Sequence, residues 1–231
     1  ARLEIIEPAA ASIHELGQPL PLLAQLEDPD GVVLPVTDAT EVSWVDAADD
    51  TMLLPALEGT ATLAAGVYEL AAIANLPNGD RLRSTVGGVR VQTRWSGAYS
   101  GDVSLQVEVA LPGGGPLVLR CDGPLDFVVS LDGEQAQVED GECSVQVLGQ
   151  VFPGSYVIDM DLYSAGLAFG TAIFAFQTPL GAFDLPLEWY GAFYDDRFST
   201  GLDDTVELPL VGAAQVSGSL QALLVDRYIE P

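Results

Sequence analysis

The chain has 231 residues, of which 48% are hydrophobic and 18% are charged, and this composition supplies a sizeable core and excludes a disordered chain. Thirty-four acidic residues face eight arginines, lysine is absent, and the formal net charge is -26 at pH 7. Such a charge makes nucleic acid and anionic lipid poor partners. No apolar run reaches the ~18 residues of a membrane-crossing helix, so we expect no direct insertion in a membrane.

Short apolar runs separated by turn residues predict strands from the start of the chain. A tight turn is indicated by "DPDG" at Asp28, and Trp44 stands alone at the end of "EVSW". His14 is the only histidine. We expect it on the surface or at a strand edge, because no nucleophile motif of the G-x-S-x-G kind accompanies it.

The segment from Ala61 to Leu76 has the composition of a helix but the pattern of a strand. It is rich in alanine and leucine, which favour helices. However, Gly66 interrupts it, and "PNG" follows it directly, before a second strand-like run. The pattern therefore predicts the first strand of a hairpin.

These features together resemble a bacterial immunoglobulin-like domain of extracellular proteins. The resemblance rests on Pro8, the "DPDG" turn, Trp44 and "LAAGVYELAAIANLPNGDRLRSTVGGVRV", and it covers about the first ninety residues. It implies that Trp44 packs between two sheets and that the penultimate strand begins at Gly66 and Tyr68. Tyr68 would form a tyrosine corner, and Arg81 to Gln92 would be the closing strand. The family implies adhesion, spacing or assembly.

Residues 94–231 are predicted to form a second domain after an immunoglobulin-like sandwich at residues 1–93. Alternation places Leu125, Phe127 and Val129 on one face of "LDFVVSL", and "YVIDMDL" from Tyr156 alternates in the same way. Turn residues recur at intervals of about ten residues. We therefore predict an all-β protein, whose second domain is an antiparallel sandwich or barrel.

The two cysteines, Cys121 and Cys143, are predicted to form a disulfide. They lack the C-x-x-C spacing of redox and zinc sites. The bond would close a loop of about 23 residues and stabilise the domain by about 3 kcal/mol. It would also indicate an oxidising compartment.

"RWSGAY" at Arg94 has an echo in "EWYGAF" at Glu188. Too few residues follow the second copy for a repeated domain. One interpretation is that both copies begin strands and fill one end of a barrel or sandwich. The other is a ligand-binding or partner-binding aromatic strip beside Asp195 and Asp196, suited to a sugar or a protein. The strip consists of Trp95, Tyr99, Trp189, Tyr190 and Phe193.

Other chemistry has weaker support in the sequence. We predict no catalytic residues, no metal site and no cofactor, since no phosphate loop and no lysine are present. Two alternatives remain open: calcium held by acidic loops such as "DPDG" and "FSTGLDD", and a carboxylate pair of the glycosidase kind.

The sequence thus predicts a non-catalytic protein that is secreted, periplasmic or at the cell surface, and that acts as an assembly subunit or adhesive module. A first residue other than Met fits a mature chain whose leader was removed. Protein partners or self-assembly are expected, with "RLEII" or "ALLVDRYI" as a donated strand. The alternative is a carbohydrate-binding accessory module that uses the aromatic strip.

Overall fold

The computed structural model describes residues 1–110, 114–147, 149–163, 165–178, 181–208 and 212–228. Contacts divide the chain into two compact units, of which the first is Ala1–Arg94 and the second begins at Trp95. Strands dominate both units, and the one helical segment in the described ranges is a 3-10 turn, Val36–Asp38. The all-β prediction is confirmed. No helix in the described part of the chain has the length and apolar character that a membrane crossing requires.

The first unit consists of nine strands. They are β1 (Arg2–Glu7), β2 (Ile13–Glu15), β3 (Leu20–Glu27), β4 (Val33–Leu34), β5 (Glu41–Asp46), β6 (Met52–Leu54), β7 (Glu58–Ala61), β8 (Gly66–Asn75) and β9 (Arg81–Gln92). One sheet joins β1, β4 and β7 to β3, and the other has the order β2-β9-β8-β5-β6. The chain passes from the first sheet to the second after Pro8, where β2 pairs in parallel with β9. This is an immunoglobulin-like β-sandwich.

Trp44 occupies the centre of this sandwich, as the resemblance implied. It is fully buried among Leu20, Leu22 and Leu70 from both sheets, and its indole N–H donates a hydrogen bond of 3.1 Å to the carbonyl of Leu57. The buried ring therefore has a partner for its single polar group.

The end of the first unit also follows the sequence prediction. Strand β8 begins at Gly66, and β9 has the predicted bounds Arg81–Gln92. The Tyr68 hydroxyl donates a 3.0 Å hydrogen bond to the carbonyl of Ala64, so the tyrosine corner is confirmed. The predicted strand from Ala61 was too long at its start, because Ala61 itself ends β7.

The described residues of the second unit form nine strands as well. They are β10 (Gly97–Val109), β11 (Leu117–Val129), β12 (Ala136–Val138), β13 (Gly141–Val147), β14 (Gln150–Tyr163), β15 (Leu167–Thr178), β16 (Gly181–Tyr194), β17 (Arg197–Leu208) and β18 (Gly212–Asp226).

Eight of these strands close into an antiparallel barrel. The order is β10-β18-β17-β16-β15-β14-β13-β11, and β11 pairs again with β10 to complete the ring. The short strand β12 pairs with the last three residues of β11, from Phe127 to Val129, and is not part of the ring. Successive strands of the ring are neighbours, so this is an up-and-down barrel, in which closure removes the exposed sheet edges.

Period-two alternation fills the interior of the barrel. In β11 the inward side chains Leu125, Phe127 and Val129 are almost completely buried, and in β14 Tyr156 and Ile158 are buried in the same way. The outward neighbours on these strands are mostly exposed, and they include the carboxylates Asp122, Asp159 and Asp161 as well as several valines. The predicted alternation is thus confirmed, and the interior is a packed core.

The disulfide lies within this core. Cys121 on β11 and Cys143 on the neighbouring strand β13 are bonded, with their Cα atoms 5.4 Å apart. Both side chains are buried. The bond joins two strands of the ring where β13 pairs with β11 at three positions only.

Neither terminal segment is free to be donated to a partner in this structure. "RLEII" lies in β1 and pairs with β3. Most of "ALLVDRYI" lies in β18, which pairs with both β10 and β17; Ile229 is outside the described residues. These pairings could not be predicted from the sequence, because each terminal segment pairs with strands that are distant in the chain.

A glycine provides the space for one of the buried tyrosines. Gly141 is the register partner of Tyr156 across β13 and β14, and a Cβ added at Gly141 would lie 2.0 Å from the Cζ atom of the Tyr156 ring. The same end of the ring is held in place, because the hydroxyl on Cζ donates a hydrogen bond to the carbonyl of Pro124.

We therefore expect Gly141→Ala to destabilise the barrel by about 2 kcal/mol through overpacking. The measurement is urea-induced unfolding followed by tryptophan fluorescence. Gly201→Ala is the matched control, since a Cβ at Gly201 would meet nothing within 4 Å. Equal stabilities of the two variants would contradict the packing described here.

Candidate functional site on the outer wall of the barrel

The structure separates the five aromatic residues that the sequence predicts as one strip. Trp189, Tyr99 and Phe193 point into the barrel and are 1%, 2% and 7% exposed. Trp95 is half-buried and packs against the same core. Tyr190 alone lies on the outer wall, where it is 74% exposed. The five residues therefore do not form one exposed surface.

The buried members of the set belong to an aromatic cluster at one end of the barrel. Tyr99 stacks on Phe127 at 4.8 Å between ring centroids and meets Phe193 edge-on at 5.3 Å. Trp189 contacts Phe198 at 5.8 Å. Contact between the two copies of the echo agrees with the interpretation that they fill one end of a barrel.

One detail of that interpretation was wrong. The first copy leads into β10, but the second copy lies at the end of β16, not at its start. Because neighbouring strands run in opposite directions, a strand start and a strand end can lie at the same end of a barrel. The two copies meet for this reason.

A different group of aromatic side chains lies on the outer wall. Tyr163, Phe169 and Tyr190 come from the adjacent strands β14, β15 and β16, and we call them the ring stack. Tyr163 and Phe169 are 4.8 Å apart with 25° between their planes, and Phe169 and Tyr190 are 6.5 Å apart at 23°. Tyr163 is 57% exposed and Phe169 is half-buried between its neighbours.

A depression of about 550 Å³ adjoins Tyr190 on the β17 side. We call it the Tyr190 site and define it by six outward residues of β16, β17 and β18. They are Tyr190, Tyr194, Ser199, Gly201, Ser219 and Gln221. The pairing Tyr190–Gly201–Ser219 across three strands sets one row of the site, and Ser199–Gln221 belongs to the next row.

The floor of the Tyr190 site is made of small residues. Gly201 has no side chain beside the Tyr190 ring, and Ala192 separates Tyr190 from Tyr194 along β16. Thr200 points inward, and its hydroxyl donates a hydrogen bond to the carbonyl of Tyr190. This bond ties the backbone beneath the ring to the neighbouring strand.

A second depression, of about 750 Å³, lies on the other side of Tyr190 and is acidic. Its lining includes Asp159, Asp161 and Glu188 together with Phe169. The Thr171 hydroxyl lies 3.5 Å from a carboxylate oxygen of Asp159. The two depressions therefore share the ring of Tyr190 but differ in charge.

The residues considered above for catalysis and for calcium binding lie at the following positions. His14 is half-buried on the edge strand β2, where Nε2 lies 2.9 Å from the Ser12 hydroxyl, and burial lowers the pKa of His14 against the opposing effect of Glu7. The Asp28 carboxylate accepts hydrogen bonds from the backbone N–H groups of Asp30 and Val32. No group of three metal-ligating side chains is found in the ranges that the structure describes.

Tyr163, Phe169 and the small-residue floor around Gly201 were not predicted from the sequence. The side-chain period was an available signal, since Leu185, Leu187 and Trp189 alternate on β16 and assign Trp189 to the inside and Tyr190 to the outside. The three rings of the ring stack lie together because of the register between neighbouring strands, and the sequence of one strand does not determine that register.

Comparisons with known proteins add little to this description. A scan against models of protein families gives no match, and a search of curated proteins gives none. Among solved structures, the chain is similar to the fibronectin(III)-like modules of Clostridium thermocellum CbhA, with 16% identity over 99% of this chain and 97% of that chain, and a TM-score of 0.32. A TM-score this low does not show a shared fold, and the fold is defined by the strand pairing.

Burial raises the pKa of Tyr99 and of Tyr156 to about 12. In the unfolded chain the pKa of both phenols is 10.0. Above that pH they ionise in the unfolded chain but keep their protons in the folded barrel. Below pH 10 the two states bind the same protons. Between pH 10 and 12 the folded state binds more protons, so stability falls as pH rises.

We accordingly expect the free energy of unfolding of the barrel to fall by up to ~1.4 kcal/mol per pH unit for each of these tyrosines above pH 10. Urea unfolding at a series of pH values measures this slope. Tyr99→Phe, which retains the ring, should make the slope shallower. A slope identical to that of the parent chain would show that Tyr99 does not ionise on unfolding.

Carboxylates dominate the electrostatics of the surface. In the first unit Arg2 pairs with Glu27 at 2.6 Å and Arg83 with Asp50 at 2.9 Å, but eight arginines cannot neutralise thirty-four acidic residues whatever their pairing. Mutual repulsion among the remaining carboxylates opposes the compact state, and dissolved cations screen it.

Salt should therefore stabilise the protein. We expect the thermal unfolding midpoint to rise between ~0.01 M and ~1 M NaCl, as the screening length falls from about 30 Å to about 3 Å. Differential scanning calorimetry of the full chain, which follows the unfolding of both units, measures the change in the midpoint. A midpoint that is constant or falls over this range would mean that charge repulsion does not limit stability.

Proposed function

We propose that this protein is a non-catalytic interaction protein of the secreted or cell-envelope class, acting as an assembly subunit or adhesive module. The observation that supports the proposal is the closed barrel with its packed aromatic core. Side chains from every strand of the ring fill its interior. A partner can therefore reach the second unit only at its outer wall and its ends.

The disulfide and the acidic surface support the proposed location. A buried disulfide between Cys121 and Cys143 is typical of proteins that fold in an oxidising compartment. A strongly acidic, lysine-free surface keeps a β-rich protein soluble and limits contact between sheet edges. Both properties suit a protein that works outside the cytoplasm.

The first unit supports the proposed function because it resembles a known family of domains. We propose that it is a bacterial immunoglobulin-like domain, because Trp44 and Tyr68 have the positions and contacts that the resemblance implies. Domains of this kind serve spacing or adhesion. In that role the first unit would present the barrel to its partner.

Carbohydrate binding is the second candidate, and the ring stack favours it. Exposed tyrosine rings beside hydroxyl, amide and carboxylate groups give a surface on which the apolar face of a sugar can stack while its hydroxyls form hydrogen bonds. The strip differs from that predicted from the sequence and shares only Tyr190 with it.

Self-assembly is measured by size-exclusion chromatography with light scattering over a concentration series. An assembly subunit should show a mass above the 24.3 kDa of one chain that rises with protein concentration. The measurement belongs at high ionic strength, since repulsion between copies of a chain with charge -26 opposes association at low salt. A mass of one chain under all conditions would contradict the assembly role.

A further inference from the structure

We propose that the Tyr190 site binds one ring of a neutral sugar within a glycan chain. The inference rests on the carbohydrate-binding function proposed above and assigns that function to a particular surface. It depends on three observations, namely the free face of Tyr190, the uncharged polar groups beside it, and the open space over Gly201.

The first step concerns the position of Tyr190 at the end of the ring stack. Phe169 has a ring on each side, Tyr163 at 4.8 Å and Tyr190 at 6.5 Å. Among the described aromatic residues only Phe169 stacks on Tyr190, from the β15 side, and the Tyr190 site adjoins this side chain from the β17 side. An exposure of 74% agrees with an uncovered ring.

The second step concerns the space next to that face. The register partner of Tyr190 on β17 is Gly201, and a Cβ placed on Gly201 would meet nothing within 4 Å. A larger residue at this position would occupy the space beside the ring. The absence of a side chain leaves room for a flat ligand to lie against Tyr190.

The third step concerns the polar groups around this space. Ser199, Ser219 and Gln221 line the site opposite the Tyr190 ring, and the 60% exposed Tyr194 forms a second wall. Hydroxyl and amide groups both donate and accept hydrogen bonds. A pyranose ring combines an apolar C–H face with hydroxyls around its edge, which matches one aromatic wall and a polar rim.

Charge selects a neutral sugar over an anionic one. Among the residues that the structure describes, none that lines the Tyr190 site is charged, whereas the depression on the other side of Tyr190 carries Asp159, Asp161 and Glu188. The chain as a whole has a net charge of -26. Uronic acids and sulfated sugars would therefore be repelled from this wall.

The site is built on paired strands and so requires little ordering when a ligand binds. Strand β17 pairs with β18 along its length and with β16 from Tyr190 to Tyr194. Thr200 fixes the backbone of Tyr190 from the interior. Sites on such elements are pre-formed, and this favours binding of a single ring at a shallow surface.

The experiment is affinity gel electrophoresis of the full chain in gels that contain soluble β-glucan, xylan or galactomannan, with alginate as the anionic polysaccharide. We expect retardation by at least one neutral polysaccharide and none by alginate. Gly201→Val should fill the space beside Tyr190 and weaken binding ~10-fold or more, and Tyr190→Ala should do the same. Tyr190→Phe should retain most of the binding.

A control variant separates the site from general effects. Gly87→Val makes the same change on an exposed strand of the first unit, at a position where a Cβ also meets nothing within 4 Å. This variant should bind as the parent chain does. Thermal unfolding of all variants checks that Gly201→Val is folded, which we expect because its Cβ has space.

The outcomes are distinguishable. If the parent chain binds a neutral polysaccharide and Gly201→Val binds it equally well, the assignment of binding to the Tyr190 site is wrong. The carbohydrate-binding function itself would still be supported. If no neutral polysaccharide retards the parent chain, both the site and the carbohydrate function are overturned. Stronger retardation by alginate would overturn the assignment of a neutral sugar.

Discussion

Closure of the strand ring is the constraint on which the second unit depends. Once β10 pairs with both β11 and β18, each strand of the ring has one face towards a common interior and one towards solvent. Burial of the inner face removes large apolar side chains from water, and this is the main favourable contribution to folding. The same closure supports the proposed function, because buried side chains from every strand of the ring occupy the interior.

Local signals in the sequence predict much of this structure. Alternation along "LDFVVSL" and the hairpin around "PNG" depend on neighbouring residues only, and both were predicted correctly. The positions of Trp44 and Tyr68 followed from a family resemblance, and both make the contacts implied. The disulfide followed from cysteine count and spacing. In each case a few adjacent residues, or two cysteines without other partners, determine the outcome.

The candidate site could not be predicted in the same way. Trp189 and Tyr190 are adjacent in sequence, and the similarity between "RWSGAY" and "EWYGAF" suggested that they act together, but adjacent residues of a strand face opposite sides. Tyr163, Phe169, Tyr190 and Gly201 come from four strands and meet only through the register of three hairpins. A shift of one residue in any hairpin would turn one of these side chains into the core. Register is a property of the whole ring, and the sequence of one strand does not contain it.

The pairing of the first and last strands of the ring has a consequence for chain connectivity. Ala98 near the start of β10 is the register partner of Asp226 at the end of β18, so the two ends of the barrel sequence lie one strand spacing apart. A short linker could join them, and the chain could be opened at a hairpin such as the one between β14 and β15 without the loss of a strand pair. The barrel is thus a natural candidate for circular permutation, and its strand order is independent of where the polypeptide begins.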